Sequence, residues 1–490
     1  MALWGWSISM NKVNWMKLPR WLWVCLLAPL AGCSMLEEYI RPQPATPAQW
    51  QAPLPHAGNV ASLKDWWAQF KDPVLDQLLT QAQKESPSLD LALANIRSAR
   101  ANLGTAYAQG VPTLSSTGSF TESKGANAAL GASTVKIASG TLDASWELDL
   151  FGKVKSGKEA AKAQLESREM AWHDARITLA AEVANNYVNY RACQDTVRAL
   201  QEAMDSRRET ARLTGISSRA GFTAAADLSL AEAATRASES TLDGQKAECD
   251  GLVKALVALT NLAEPDLRNL LAQGKGLPQP AMFDVQRVPA ELLTRRPDLV
   301  RDERNLAEAS ANIGVSKAAL YPSLSLTGSI GYRQTTINGM VIRGQTWSYG
   351  PSLKLPLFDG GTNRAAVEAD RATFDNLLAT YKQNVRNAVK EVEQALVNLD
   401  SATRRQQSEG ESAALYGQYF KAAEMNWKSG GLDLLSLEDA RRQKINAEVN
   451  VITQQKNRVL QWIALYKAFG GDWLETRQTA NPVVKPMEKR

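Results

Sequence analysis

The chain has 490 residues, 44% of them hydrophobic, 22% charged and 7% aromatic, with a formal charge of +5. That is the composition of an ordered chain, and so mild a charge gives little reason to expect nucleic acid as a partner. Two histidines, His56 and His173, and four cysteines without a CxxC pair argue against His/Cys metal sites and histidine-based catalysis. No run of about 18 apolar residues occurs, so no ordinary membrane-spanning helix is expected.

Lys12, Lys17 and Arg20 precede a short apolar run, Trp21 to Leu30, which ends in Leu30-Ala31-Gly32-Cys33. A basic start, a short apolar core and small residues before a cysteine read as a secretory signal over residues 1–32. The last four positions resemble the lipobox of bacterial lipoproteins, which implies cleavage before Cys33 and a covalent lipid on its thiol. The alternative is an ordinary signal peptide with an incidental cysteine. Removal of residues 1–32 takes away three cations and no acids, leaving a charge of +2. Ser34 stands where the inner-membrane retention signal of enteric lipoproteins would be aspartate, which favours the outer membrane by the same resemblance. Residues 33–68 are then the anchor and an extended N-terminal segment.

The rest of the chain is written twice. Pro87, Leu89, Ala99, Ala101, Asn102, Gly104, Pro112, Leu114 and Gly118 each recur 210 residues later, ending with Pro322, Leu324 and Gly328. Leu148, Leu150 and Phe151 recur 207 residues on, and Glu182, Val183 and Asn189 recur 209 residues on. A repeat of that length is far beyond a solenoid unit of about 20–50 residues, so two copies of one large unit are expected. The first repeat, 69–271, reads as helices over 72–110, strands over 112–124 and 137–151, and a long hairpin over 152–265. The second, 285–474, reads as a helix over 297–320, strands over 321–334 and 344–358, and a hairpin over 359–470, before a flexible tail at 475–490.

In each copy an alanine-rich amphipathic helix is stopped by a proline, Pro112 or Pro322, which cannot continue the helical ladder. The period then changes to two. Leu324, Leu326, Ile330 and Tyr332 alternate with Ser323, Ser325, Thr327 and Ser329, and Trp347, Tyr349, Leu353 and Leu355 alternate with Ser348, Ser352 and Lys354. Leu142, Ala144, Trp146 and Leu148 do the same against Thr141, Asp143, Ser145 and Glu147, while the partner strand of Leu114 and Phe120 is weaker. Four strands of about ten residues, apolar on one face and small or charged on the other, fit an outer-membrane barrel wall. Periodicity alone leaves a soluble sandwich with one wet face equally open. The export signal weighs toward the membrane. Four strands cannot close, since the smallest such barrels need about eight, and an open edge in lipid leaves backbone groups unsatisfied. If these strands enter a membrane, several chains must therefore share one barrel.

After each strand pair come two long helical stretches, from about Lys155 to Ser217 and Ala224 to Leu262, then Asn363 to Lys428 and Leu434 to Phe469. They turn at Gly221 and at Gly430-Gly431. Their apolar positions are mostly Ala and Val among Gln, Asn and charges, without the leucine seam of a solid coiled coil. A hollow, water-filled wall suits them better. Cys193 and Cys249 each lie 28 residues from Gly221, so antiparallel helices would bring them level. In an oxidising compartment they could pair; two buried free thiols are the alternative.

Asp65-Trp66-Trp67, Gly118, Glu147-Leu148-Asp149-Leu150-Phe151-Gly152 and Leu277-Pro278 are followed by Arg295-Arg296-Pro297-Asp298-Leu299 and Pro356-Leu357-Phe358-Asp359-Gly360-Gly361. Together and in this order they resemble the TolC-like outer membrane factors of tripartite efflux pumps, in their NodT-type lipoprotein branch. The resemblance implies a mainly α fold with a small β part. It implies a homotrimer whose twelve strands, four per chain, form an outer-membrane β-barrel continued by a long α-helical periplasmic barrel. It also implies passive transport to the outside, no cofactor apart from the covalent lipid, and contact with outer-membrane lipid. The partners implied are a periplasmic adaptor and an inner-membrane efflux transporter. The competing expectation is a lipid-anchored periplasmic coiled-coil scaffold or adaptor without a pore.

Carried over residue by residue, the resemblance puts Asp439 at an inward acidic ring of the periplasmic gate, where three like charges would attract cations. Ser436 stands at the second acidic position, so a double ring is not supported. Asp227 matches an acidic partner on the other hairpin and Trp427 an aromatic latch, while the basic partner expected near Leu432 is missing. Plainer readings stand beside these. Asp227 complements the dipole at its helix start, Asp433 is an N-cap before Leu434, and Trp427 packs between helices. Trp146, Trp347 and Tyr349 read as interfacial anchors or as lipid-facing filler.

Overall fold

The computed structural model describes residues 39–43, 52, 66–127, 131–280, 293 and 296–471. Cys33 with its signal, most of the extended segment at 33–68 and the tail at 475–490 lie outside the described residues. A short 3-10 turn at Trp67–Phe70 leads into α1 (Pro73–Glu85), α2 (Pro87–Ala108), β1 (Thr113–Asn127) and β2 (Gly131–Leu148). Then come α3 (Lys153–Arg219), α4 (Ala225–Thr260) and α5 (Glu264–Gln273). The second half holds α6 (Pro297–Ala318), β3 (Ser323–Ile337), β4 (Met340–Lys354), α7 (Thr362–Lys428) and α8 (Leu434–Ala468).

The helices expected over 72–110 are two, α1 and α2, divided at Ser86. Ser86 takes an extended conformation (φ −78°, ψ 114°) because the ring of Pro87 disfavours a helical residue before it. Asp72 caps α1, accepting from the amides of Val74 and Leu75 at 2.9 and 3.3 Å. The first hairpin also ends earlier than 265, at Thr260, and α5 was not foreseen; it opens on Glu264-Pro265, with proline in the first turn.

The chain divides into two compact units. One is built around residues 102–162 and 307–374, the other around 41–101, 163–306 and 375–490, as far as these are described. The first unit holds one antiparallel sheet in the order β1-β2-β3-β4. Its strands are 15, 18, 15 and 15 residues long, not about ten. They reach further toward the hairpin tips than alternation suggested. Asn338 (φ 47°) and Gly339 (φ 89°) make a two-residue turn that lets Ile337 pair with Met340. At the other end they stop short of 151 and 358. Leu150-Phe151 and Leu355 to Phe358 are links, followed by Gly152 (φ 78°) and by Gly360 and Gly361 (φ 66° and 90°). Asp149, just before the first link, accepts from the amides of Val154 and Lys155, and Asp359, just after the second, from those of Gly361 and Asn363, so a carboxylate caps the helix after each link. Those backbone bonds hold the Asp359 carboxyl below its usual range.

The second unit carries the larger core, with Leu75, Leu78, Val183, Tyr187, Val253, Leu256, Leu267, Leu396 and Ile463 buried. Trp66 and Trp67 of the sequence pair fasten one corner. Trp66 packs on Trp462 and Tyr466 with ring centroids 5.9 and 5.7 Å apart, and Trp67 lies 4.7 Å from Tyr466. Buried Arg296 pairs with Asp298 at 2.8 Å and Glu391 at 2.9 Å, and donates to the Ala468 carbonyl at the end of α8. Burial pushes the Asp298 carboxyl up, but the Arg296 hydrogen bonds and charge prevail and hold it below the usual range.

Candidate functional site

Register decides what the sheet offers. Leu114 faces Ala144, Ala144 faces Gly328 and Gly328 faces Tyr349, so one row of side chains crosses all four strands on the same face. That face collects Leu114 and Phe120, Leu142, Trp146 and Leu148, Leu324, Leu326, Ile330 and Tyr332, and Trp347, Tyr349 and Leu353. Most of these large residues are exposed, Tyr349 at 83% and Phe120 at 68%. Beyond them toward the tips it turns polar, with Glu122, Lys136, Gln334 and Arg343; Glu122 and Lys136 form a cross-strand ion pair of 3.1 Å. The opposite face carries Thr113, Ser115, Thr117, Ser119, Ser139, Thr141, Asp143, Ser325, Thr327, Ser329, Ser348 and Ser352. It is knitted by short bonds such as Ser119 to Ser139 at 2.8 Å and Thr141 to Asp143 at 2.8 Å. An alternating sequence folded in this register gives a sheet with one oily and one hydroxyl-rich side.

The three aromatic anchors of the sequence sit on the oily face. Trp146 donates its indole N–H to the Gly110 carbonyl at 3.2 Å, so its polar atom is satisfied at the sheet's helix-bearing end. Trp347 and Tyr349 stack with centroids 5.9 Å apart, and Trp347 is the last large apolar residue of β4 on that face before Gln345 and Arg343.

In the second unit the hairpin ends repeat one design. Gly221 (φ 81°) donates to Ser218 O and Phe222 to Ser217 O; Gly430 (φ 80°) donates to Trp427 O and Gly431 to Asn426 O. Both are Schellman caps, whose left-handed residue favours glycine. At Gly431 a Cβ would meet only the side-chain end of Asn426, with Oδ1 at 2.2 Å, which would have to turn away. Asp433 caps α8, accepting from the Ser436 amide and hydroxyl at 2.8 Å each, and those bonds hold its carboxyl below the usual range. Ser436 is thus part of a helix cap. Asp439 is half-exposed, ion-paired with Arg442 one turn on and bonded by Gln443 at 2.7 Å. Asp227 sits half-exposed in the first turn of α4. Trp427 and Leu432, with Phe420, pack against Ala423, Leu437 and Ala440, so the position near Leu432 serves apolar packing.

Close to these residues lies a cluster that sequence patterns did not single out. Glu438 binds Arg207 of α3 at 2.9 Å and Arg441 of its own helix, while Arg207 also donates to Ser238 of α4. Arg441 is 1% exposed, donates to Thr210 at 2.7 Å and stands 5.4 Å from the Phe420 ring of α7. Burial, opposed by Glu438 and reinforced by Arg207, pushes the Arg441 guanidinium below its ordinary value. One carboxylate therefore serves two arginines across four helices. The i,i+3 spacing of Glu438 and Arg441 was the single local clue, and many surface pairs share it. Cys193 and Cys249 are joined as a disulfide between α3 and α4, with Cα atoms 5.7 Å apart. Among the described residues no group of three or more acidic, His or Cys side chains is placed to hold a metal ion.

Comparison with known proteins now adds the family. A family model described as outer membrane efflux protein matches residues 78–262 and 288–471. The toluene efflux pump outer membrane protein TtgC of Pseudomonas putida is 30% identical over 474 residues, covering 92% of this chain and 95% of that one. Nodulation protein T of Rhizobium leguminosarum bv. trifolii is 30% identical over 464 residues, covering 93% and 96%. The structure of the outer-membrane channel OprN superimposes with a TM-score of 0.81 at 28% identity, covering 90% of this chain and all of that one. The chain belongs to the outer membrane efflux protein family, as a TolC-like outer membrane factor of the NodT type.

Proposed function

We propose that this chain is the passive exit duct of a tripartite efflux system in the outer membrane. It would work as a homotrimer, anchored by lipid on Cys33 and supplied by a periplasmic adaptor and an inner-membrane transporter, with no bond made or broken on the way. The observation that carries this reading is the four-stranded sheet with an oily face, a hydroxyl face and two unpaired edges. Lipid suits the first face and water the second, and neither edge can stay open in hydrocarbon. Strands of 15 residues exceed the roughly 9–11 needed to cross, so the polar tips from Glu122, Lys136 and Arg343 onward extend past the bilayer. Trp347 and Tyr349 then lie at its outer boundary, as aromatic belts do. Asp439, tempered by Arg442, is the acidic ring of the inner end, with Asp227 nearby in role, while Trp427 is a packing residue of that end.

Planar-bilayer recording together with gel electrophoresis tests the proposal. A purified mature protein that runs as a heat-resistant trimer and conducts ions supports it. A soluble single chain that is electrically silent refutes it and leaves a tethered scaffold.

A further inference from the structure

We propose that a second copy of this chain joins its β1 to β4 and the link after β4 in one particular register, with Leu357 of the link opposite Leu114, Leu353 opposite Gly118 and Ser352 opposite Ser119. The inference rests on the duct reading, because it supposes that copies share a sheet. The sheet supplies its own template. β2 ends the first repeat's strand pair and β3 begins the second, so their contact is the junction between repeats. A contact between β4 of one copy and β1 of the next joins the same two halves.

Translating the template needs two offsets. From β1 to β3 it is 210: Pro112, Leu114 and Gly118 recur as Pro322, Leu324 and Gly328, and α2 and α6 end at Ala108 and Ala318. From β2 to β4 it is 209. Thr113 faces Ser145, and its counterpart Ser323 faces Lys354, 209 residues beyond Ser145. The helices that follow, α3 and α7, begin at Lys153 and Thr362, again 209 apart. Advancing β2 by 209 and moving β3 back by 210 turns Leu148 opposite Leu324 into Leu357 opposite Leu114. Trp146 opposite Leu326 becomes Leu355 opposite Ser116, and Ala144 opposite Gly328 becomes Leu353 opposite Gly118.

A rival register exists. The Leu-x-Leu-Phe strings ending at Phe151 and Phe358 recur at an offset of 207, which would slip the seam by two and place Leu353 opposite Ser116. Phe151 lies two residues before its helix and Phe358 four, so this string has moved along the link. Hairpin pairing and helix start agree with each other against it. A slip of two keeps every side chain on its own face, so hydrophobic pattern cannot choose between them; backbone register can. Either way the seam brings exposed Leu114 and Phe120 of one edge beside Tyr349, Leu353 and Leu357 of the other on one continuous oily face.

Cysteine cross-linking reads the register directly. Side chains directly opposite have Cβ atoms about 4.5–5.5 Å apart, against about 7–8 Å for neighbours slipped by two, and a disulfide needs roughly 3.5–4.5 Å. The double variants Ser352→Cys/Ser119→Cys and Leu353→Cys/Gly118→Cys sample both the hydrogen-bonded and the non-hydrogen-bonded positions. After mild oxidation, one of them or both should give a covalent trimer on non-reducing gels that thiol returns to monomer. Ser352→Cys/Thr117→Cys and Leu353→Cys/Ser116→Cys should give none, and wild type sets the background. Stronger cross-linking in the slipped pairs, or none in any pair of a protein that still forms conducting trimers, overturns the register. A wild type that stays a single silent chain overturns the duct reading, and the register with it.

Discussion

The sharpest consequence of the structure concerns Glu438, not Asp439, the residue proposed for an acidic ring, beside it. Its carboxylate holds Arg207 at 2.9 Å and Arg441 at once, with side-chain exposures of 19%, 1% and 13% for Arg207, Arg441 and Glu438. Glu438→Gln keeps the shape and removes the charge that both guanidinium groups share. Breaking a buried pair from one side costs about 3–5 kcal/mol. Glutamine still accepts a hydrogen bond and Arg207 touches water, so the lower end, about 3 kcal/mol, applies. That shifts the balance between joined and parted α3 and α8 roughly a hundredfold. We expect more frequent high-conductance events in single-channel recordings and faster proteolysis at the turns around Gly221 and Gly430. Arg441→Met supplies the control. Combined with Glu438→Gln it removes the stranded cation, so the double variant should lose less than the two single losses added together. A Glu438→Gln protein with unaltered conductance and cleavage, or strict additivity in the double variant, refutes the clamp.

Four further outcomes follow from named contacts. Asp439→Ala should raise conductance or weaken block by divalent cations, and Arg442→Ala, which frees the same carboxylate, should strengthen that block; both are read in bilayers. Reduction of Cys193–Cys249, or a Cys193→Ser/Cys249→Ser variant, should lower thermal stability by up to about 4 kcal/mol, visible in a melt with and without thiol. Gly430→Ala places a side chain at φ 80° and should cost about 1–2 kcal/mol at that turn, seen as earlier cleavage there. The folded Asp298 carboxyl is depressed, so its stabilisation is present above the unfolded value of about 3.9 and fades as pH falls through the folded one. Arg296→Met should therefore melt earlier near neutrality and show a flatter loss of stability below about pH 4.

What the sequence disclosed, and what it withheld, follows from the range of the forces involved. Alternation at Leu324 to Tyr332 and Trp347 to Leu355 reports a local fact, that successive side chains point to opposite faces, and so both faces of the sheet were readable before any register was known. Repeat identity, from Pro112 to Pro322, reports a shared ancestry of form and marked the helix-to-strand boundaries. Strand ends are less legible even where a local signal exists: Asn338-Gly339 is a strong hairpin pair, yet the polar run around it masks the strands that continue to Ile337 and from Met340. The break at Ser86 was equally local, a residue placed before proline. The Glu438 cluster is different in kind. Arg207 and Glu438 are 231 residues apart, their neighbours are charged surface residues of the same types, and nothing in a helical stretch of Arg and Glu says which one faces inward. Only packing of α3, α4, α7 and α8 selects that carboxylate. Burial then makes it matter, because water no longer shares the charge. The ring position at Asp439, reached through resemblance, and the clamp at Glu438, reached through packing, lie on consecutive residues. Their partners, Arg442 and Arg441, are consecutive as well. One turn of α8 thus presents a carboxylate–arginine pair half-exposed to solvent and another sunk between hairpins, so whatever moves that turn must disturb both.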